Sequence, residues 1–379
     1  MLILLTFGLA TVKLGRYLLP PLLPEVIETL SISSVEAGIA LSTITLLYGL
    51  FQYPGGRYAD RLTRKTVLVA AFAFILIGYF VLSQSFHYYV LLLGAAVIGI
   101  GMGLYGPTDR AAISDLFTRR RGLAFGINVT GSEIGGGLAA GLSVIALMYF
   151  GWRAAFLVAF VIAAVLVTLI HRWGRGPYRI ERVPLGLRDT LRRLAAGEYL
   201  PIVLVYVLFS FIGNGVIGFL PTLLQVDQGF SSTQASLVYA SVFVVGLLSK
   251  PVAGQLSDRI RRLTVAIGSF VMGIAGLAIL IAATSIPIAV LGTVGYAIGH
   301  RSFPPVMQAY LMDRFPDETM AGDLGAIRTV YIAIGSLGPT YVGIVATKLS
   351  YTAAFTGFIV CFAIGIGLLA FQWIRHRPA

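Results

Sequence analysis

Most charges in this chain gather in short stretches, and between them the sequence stays largely apolar for about twenty residues or more at a time. Read between charged and turn residues, the apolar segments run over 2–23, 35–55, 66–85, 88–113, 122–149, 153–171, 199–224, 233–253, 264–284, 287–312, 320–347 and 352–373. A helix needs about 20 mostly apolar residues to cross a ~30 Å hydrocarbon core, and each segment is long enough. None alternates as a barrel strand would, and all are too long for one. The pattern predicts an all-α membrane protein with twelve transmembrane helices. Composition agrees: of 379 residues, 57% are apolar and 12% charged. That balance excludes a soluble enzyme or binding domain, whose surface needs about twice the charge, and it excludes a disordered chain.

Loop charge sets the orientation. With the N-terminus inside, the inner segments hold Arg57, Arg61, Arg64, Lys65, Arg119, Arg120, Arg121, Arg259, Arg261, Arg262, Arg314, Arg375 and Arg377, besides the arginines of residues 172–193. The outer loops hold Arg153 and Lys348. Cations gather on the cytoplasmic side of membrane proteins, so both termini are expected in the cytoplasm of a multi-pass plasma-membrane protein. The net charge of +12 is then loop charge, and no nucleic-acid partner is implied. No basic stretch precedes the first apolar run, which continues to Leu23, so no cleaved signal peptide is expected.

The longest polar stretch, His171 to Glu198, divides the chain into an N-terminal bundle over 1–171, a basic linker over 172–198 lying on the inner leaflet, and a C-terminal bundle over 199–379. One offset of 198 residues superposes the halves. Gly56-Arg-Tyr-Ala-Asp60-Arg61-Leu-Thr-Arg64 matches Gly254-Gln-Leu-Ser-Asp258-Arg259-Ile-Arg-Arg262. Ser33-Ser34 matches Ser231-Ser232, Pro107 matches Pro305, and Asp115-Leu-Phe117 matches Asp313-Arg-Phe315. Six-helix repeats in the same orientation imply two bundles related by an axis along the membrane normal, with the substrate site between them near the midplane.

At these residues the chain resembles the major facilitator superfamily. That family's loop between helices 2 and 3 reads G-x-L-A-D-R-x-G-R-K, and here Gly56–Lys65 follows it, with a weaker copy from Gly254 to Leu263; the second glycine is replaced by Thr63 and Arg261. Arg121-Gly122 and Gly151-Trp152-Arg153-Ala154-Ala155-Phe156 are similar to the family's helix 5 and the start of helix 6. The resemblance implies two pseudo-symmetric bundles, transport by alternating access, and a monomer. It also supports reading Asp60, Arg61, Arg64 and Asp115, with Asp258, Arg259, Arg262 and Asp313, as an inner-face charge network that closes the cavity when the outside is open.

Charges inside the spans each need a reason, because a charge in hydrocarbon costs at least a few kcal/mol. They are Lys13, Arg16, Asp109, Arg110, Glu133, Lys250, Arg301 and Arg328. Spans 3, 6, 9 and 12, which face lipid in the superfamily, have none. Counted at about 1.5 Å per residue, Glu133 lies roughly 16 Å from the inner end of its span, near mid-membrane. Lys13 and Arg16 share a helix face by their i, i+3 spacing, and Arg301 and Arg328 lie deeper than the rim. Asp109, Arg110 and Lys250 fall near the inner rim, where snorkelling explains them. Asn214 matches Arg16 at the same offset, and His300 adjoins Arg301. Lys13, Arg16, Asn214, His300, Arg301 and Arg328 are therefore the candidate substrate cavity, and Glu133 the candidate for proton coupling.

Cations outnumber acids in the spans, which favours a small organic anion such as a carboxylate as substrate. A proton-coupled exporter of cationic drugs is the alternative, although Ala95 stands where that group has a helix 4 arginine and Gly131–Gly136 lacks its helix 5 proline. Among other classes, an intramembrane enzyme lacks clustered catalytic groups, while a non-transporting sensor stays open. No cofactor is expected: there is no phosphate-binding loop for ATP, and four histidines with the single Cys361 make no metal site. Gly101-Met-Gly103-Leu-Tyr-Gly106 spells a dinucleotide motif but follows no strand. Asn128-Val-Thr130 spells a glycosylation sequon but lies inside a span.

Overall fold

The computed structural model describes residues 1–117, 119–174, 177–179, 181, 200–313 and 320–375, with only the backbone at 121 and 320–326. Most of the linker read at 172–198 and the loop arginine Arg314 lie outside the described residues. The chain divides into two compact units, Met1–Leu185 and Gly186–Ala379. Among the described residues there is no strand.

The first unit holds α1 (Leu2–Tyr17), α2 (Leu19–Leu30), α3 (Ser34–Leu50), α4 (Gln52–Arg61), α5 (Arg64–Ser83), α6 (Tyr88–Leu116), α7 (Arg121–Tyr149) and α8 (Trp152–Trp173). The second holds α9 (Leu200–Thr222), α10 (Ser232–Arg259), α11 (Arg262–Ile281), α12 (Ile286–Met312), α13 (Met320–Gly335), α14 (Gly338–Lys348) and α15 (Tyr351–Arg375). Some spans are made of two pieces, because proline removes a backbone donor and clashes one turn back. The first span is α1 with α2, broken before Pro20; the second is α3 with α4, broken before Pro54; the eleventh is α13 with α14, broken before Pro339. After Pro221, α9 continues as a π-helical turn, Leu223–Asp227. Among the described residues, eleven of the spans are long and apolar enough to cross a membrane. The other long helix, α12, carries His300 and Arg301 within its 27 residues, enough for about 40 Å.

The two units use the same pairings. In the first, α5 lies on α6, α3 on α6, α1 on α7 and α5 on α8; in the second, α11 lies on α12, α10 on α12, α9 on α13 and α14, and α11 on α15. Small residues permit the closest of these approaches. A Cβ on Gly101 would sit 2.7 Å from the Ala71 carbonyl oxygen, and one on Gly276 would collide with the backbone of Tyr296. Gly101 thus serves helix packing and not a nucleotide. The repeated serines cap the second span of each unit. Ser33 accepts from the Glu36 N–H at 3.2 Å while the Glu36 carboxylate accepts from the Ser33 N–H at 2.7 Å. Ser231 and Gln234 repeat this capping box at 3.3 and 3.0 Å, which satisfies N–H groups that a helix start leaves open.

Candidate functional site

In the first unit the in-span charges lie on α1, α6 and α7. Lys13 reaches α3, donating from Nζ to the Tyr48 hydroxyl at 3.5 Å and standing 4.6 Å from the ring centroid. Arg16, one turn on, lies 5.6 Å from the Tyr17 ring. Both are half-buried. Glu133 is only 3% exposed. Its helix is drawn against α1 by Gly131 and Gly135, whose missing side chains leave room for the carbonyls of Thr6 and Ala10.

Asp109 departs from the rim reading. Depth along its own helix suggests snorkelling, yet the residue is 2% exposed. Asn128 on α7 donates to its Oδ1 at 3.3 Å, and the Tyr105 hydroxyl lies 3.4 Å from the same oxygen. Tyr105 also donates to the Leu5 carbonyl of α1 at 2.9 Å. The polar set Asp109, Asn128 and Tyr105 therefore ties α1, α6 and α7 together. Its sequence signal was the i, i+4 spacing of Tyr105 and Asp109, which puts both on one helix face. The sequon asparagine is thereby spent inside the bundle.

In the second unit, Asn214 is 6% exposed. Its amide donates to the Gly335 carbonyl at 3.0 Å and to Ser210 Oγ at 3.2 Å, which ties α9 to α13. His300 is stacked on Phe209 at 4.1 Å with the rings 15° from parallel, and on Tyr296 at 5.4 Å. Phe209 also stacks on Phe303 at 4.8 Å, and Tyr206 on Tyr331 at 5.0 Å. Arg301 lies 5.4 Å from the Phe243 ring. Arg328 lies in the neighbourhood of Tyr206. Sequence reasoning singled out the cations here and missed the rings, because an aromatic at helical spacing is indistinguishable from core until its neighbours are known.

The loop charges form ion pairs in both units. Arg64 Nε donates to Asp115 at 2.9 Å and Nη1 lies 3.7 Å from Asp60. Arg262 pairs with Asp313 and donates to the Ala309 carbonyl at 2.6 Å. Asp258 and Arg259 are exposed and join no ion pair among the described residues. Arg61 is likewise exposed. Groups of histidine, cysteine and carboxylate that could hold a metal are absent among the described residues.

Comparison with known proteins places this architecture. The Hexuronate transporter of Bacillus subtilis (strain 168) is 20% identical over 256 residues, which cover 64% of this chain and 60% of that protein. The Probable nitrate transporter NarT of Staphylococcus haemolyticus (strain JCSC1435) is 22% identical, over 99% of this chain and 96% of that one. The chain thus spans less than two thirds of the first relative and nearly all of the second. In fold it is similar to a bacterial homolog of the human lysosomal transporter Spinster, with a TM-score of 0.81 at 18% identity over 100% of this chain and 98% of that chain. The model of the Major Facilitator Superfamily matches residues 5–226 and again 202–379, once for each repeat. The chain belongs to the Major Facilitator Superfamily.

Proposed function

We propose that this protein is a secondary active transporter of the plasma membrane, with both termini cytoplasmic, that moves a small organic anion by alternating access of its two repeats. The observation that carries the reading is the in-span charge: Lys13 and Arg16 in the first unit and Arg301 and Arg328 in the second are half-buried cations, against the buried acids Glu133 and Asp109. Cations placed in low dielectric attract an anion more strongly than they do in water. The full cavity set is Lys13, Arg16, Asn214, His300, Arg301 and Arg328, with Asn214 positioning the helix that carries Arg328. A relative named for hexuronate, a sugar carboxylate, fits this chemistry. Glu133 is the proton-coupling carboxylate, and no cofactor takes part.

The test is uptake of glucuronate into proteoliposomes under an inward proton gradient. Wild type should accumulate it, and Arg16→Gln should raise KM about tenfold or more, the effect of losing one charge-assisted contact of ~1.5–3 kcal/mol. Glu133→Gln should abolish accumulation driven by the gradient and spare exchange. Accumulation that still follows the gradient in Glu133→Gln removes the coupling role. Unchanged kinetics in Arg16→Gln removes that residue from the site. Transport of cationic dyes with no uptake or binding of anions would favour the drug-export reading.

A further inference from the structure

The second unit carries a groove that opens to the membrane. It holds about 600 Å³ between α10, α11 and α12, and Leu248, Val252, Leu256, Met272 and Ile298 along it are exposed. In a chain whose helices span a bilayer, apolar side chains exposed along a span meet lipid. From Val245 to Leu256 the groove follows α10 for about 16 Å, the depth of one leaflet of a ~30 Å core. Small residues make the room. Ser249, Gly268 and Ser302 line the groove, and 198 residues earlier the chain has Phe51, Ala70 and Leu104. Phe51 lies against Gly103 of α6 and Leu104 is buried, so the first unit puts larger side chains at the matching places. The Ser249 hydroxyl is buried and makes no hydrogen bond among the described residues. It therefore ties no helices together, and an unmade buried hydrogen bond is costly; what the serine contributes is its small volume.

The loop end of the groove is cationic. On α10 the lining positions Ser249, Val252 and Leu256 continue at helical spacing to Arg259, and on α11 Met272, Gly268 and Thr264 lead back to Arg261, so each arginine extends a lining face. Ile260, between the two, lines the groove itself. Both arginines are exposed. Arg262 is taken by Asp313, and the loop's one carboxylate, Asp258, leaves Arg259 and Arg261 a net positive charge. Arg261 also lies 5.3 Å from the ring of Trp373, a residue type enriched where membrane meets water. A long apolar slot with cations at one end matches a phospholipid: the slot takes a chain, and the cations meet the phosphate.

We propose that this groove binds one anionic phospholipid of the inner leaflet, with an acyl chain along α10, α11 and α12 and the phosphate at Arg259 and Arg261. The leaflet follows from the proposed orientation; the site does not depend on the substrate. The test is titration of the full-length protein in detergent with dioleoylphosphatidylglycerol and dioleoylphosphatidylcholine, read by native mass spectrometry. The two lipids share their chains and differ in charge. One phosphatidylglycerol should bind about fivefold more tightly than phosphatidylcholine, the effect of one net cation near the membrane surface. Arg259→Gln combined with Arg261→Gln should bring it down to the phosphatidylcholine level. A Cβ on Gly268 meets open space, so Gly268→Leu fills the groove without a clash and should weaken both lipids about fivefold or more, the loss of one or two buried methylenes. Gly367→Leu on α15, where a Cβ also meets open space, should change neither. Glycerol 3-phosphate, a phosphate without chains, should not bind. Equal affinity of the wild type for the two lipids overturns the site, as does unchanged binding in Gly268→Leu or an equal loss in Gly367→Leu. Tight binding of glycerol 3-phosphate would assign the arginines to a free phosphate and overturn it too. None of these measurements reads transport, so the anion-transport reading stands or falls separately.

Discussion

The two copies of the charged loop, Gly56–Lys65 and Gly254–Leu263, share one contact and differ in the rest. In each, an arginine at the start of the third span of its unit pairs with an aspartate at the end of the fourth: Arg64 with Asp115, and Arg262 with Asp313. In the first copy Arg64 also holds Asp60 at 3.7 Å; in the second, Asp258 at the matching place joins no ion pair among the described residues. The residue before the arginine differs as well. Thr63 caps α5, accepting from the Thr66 N–H at 3.3 Å, and its hydroxyl donates to the Pro177 carbonyl at 2.9 Å. The Arg179 N–H donates to Thr66 Oγ1 at 3.0 Å, and Lys65 lies 5.0 Å from the Tyr178 ring. The exit of the sixth span is thereby fastened to the loop. Arg261 has no hydroxyl with which to cap α11, and instead lies 5.3 Å from the ring of Trp373 on α15. The difference teaches that both copies keep the arginine–aspartate link between helices, while the first loop is tied to the segment after the sixth span and the second to the last helix of its unit.

Three measurements would break or sharpen this comparison. The largest expected effect is on transport. If the first copy's network closes the inner side, Asp60→Asn should lower uptake about tenfold or more at normal expression, whereas Asp258→Asn should change it less than twofold. Equal losses in the two variants would erase the functional asymmetry, and normal uptake in Asp60→Asn would remove the gating role. The next effect is on stability. Asp313→Asn takes from Arg262 its carboxylate partner, while Asp115→Asn leaves Arg64 with Asp60. Both sites are partly exposed, so the losses are small: about 1 kcal/mol for Asp313→Asn and about half that for Asp115→Asn, read as melting shifts in detergent. A larger loss at Asp115 would reverse the ranking. The third measurement concerns the cap, where the two loops should differ least. Thr63→Ala should cost about 1 kcal/mol, the usual value of a lost N-cap hydroxyl. Arg261→Thr should gain a cap and lose its contact with Trp373, for a net change within about 0.5 kcal/mol. A destabilisation by Arg261→Thr as large as that of Thr63→Ala would make the ring contact the stronger tie.

The spans were legible because the bilayer imposes a rule on contiguous residues. A helix must bring about 20 apolar residues in sequence, whatever its neighbours are. The repeat was legible for a related reason: Ser33 and Ser231, or Arg64 and Arg262, act through residues three or four positions away, and such spacing survives in the one-dimensional pattern. Depth counted along a single helix could not show what surrounds Asp109. The count put that residue near the rim, but burial depends on what packs around it, and Asn128 and Tyr105 come from positions 19 residues on and 4 residues back. Asn214 was legible as a polar group at mid-span, but not as a donor to Gly335, which lies 121 residues away.

By itself, then, the sequence determined the class of the protein, the approximate course of its spans, the two-fold repeat and the sign of the charge within them. Each of these depends on composition or on spacing along one helix. Only the tertiary structure decided which polar groups hold helices together and which rings stack, because those contacts join residues about twenty to more than a hundred positions apart. The stack of Phe209, His300, Tyr206 and Tyr331 needs three spans in register at once, and apolar periodicity along any one of them is the same whether the ring faces lipid, core or ligand.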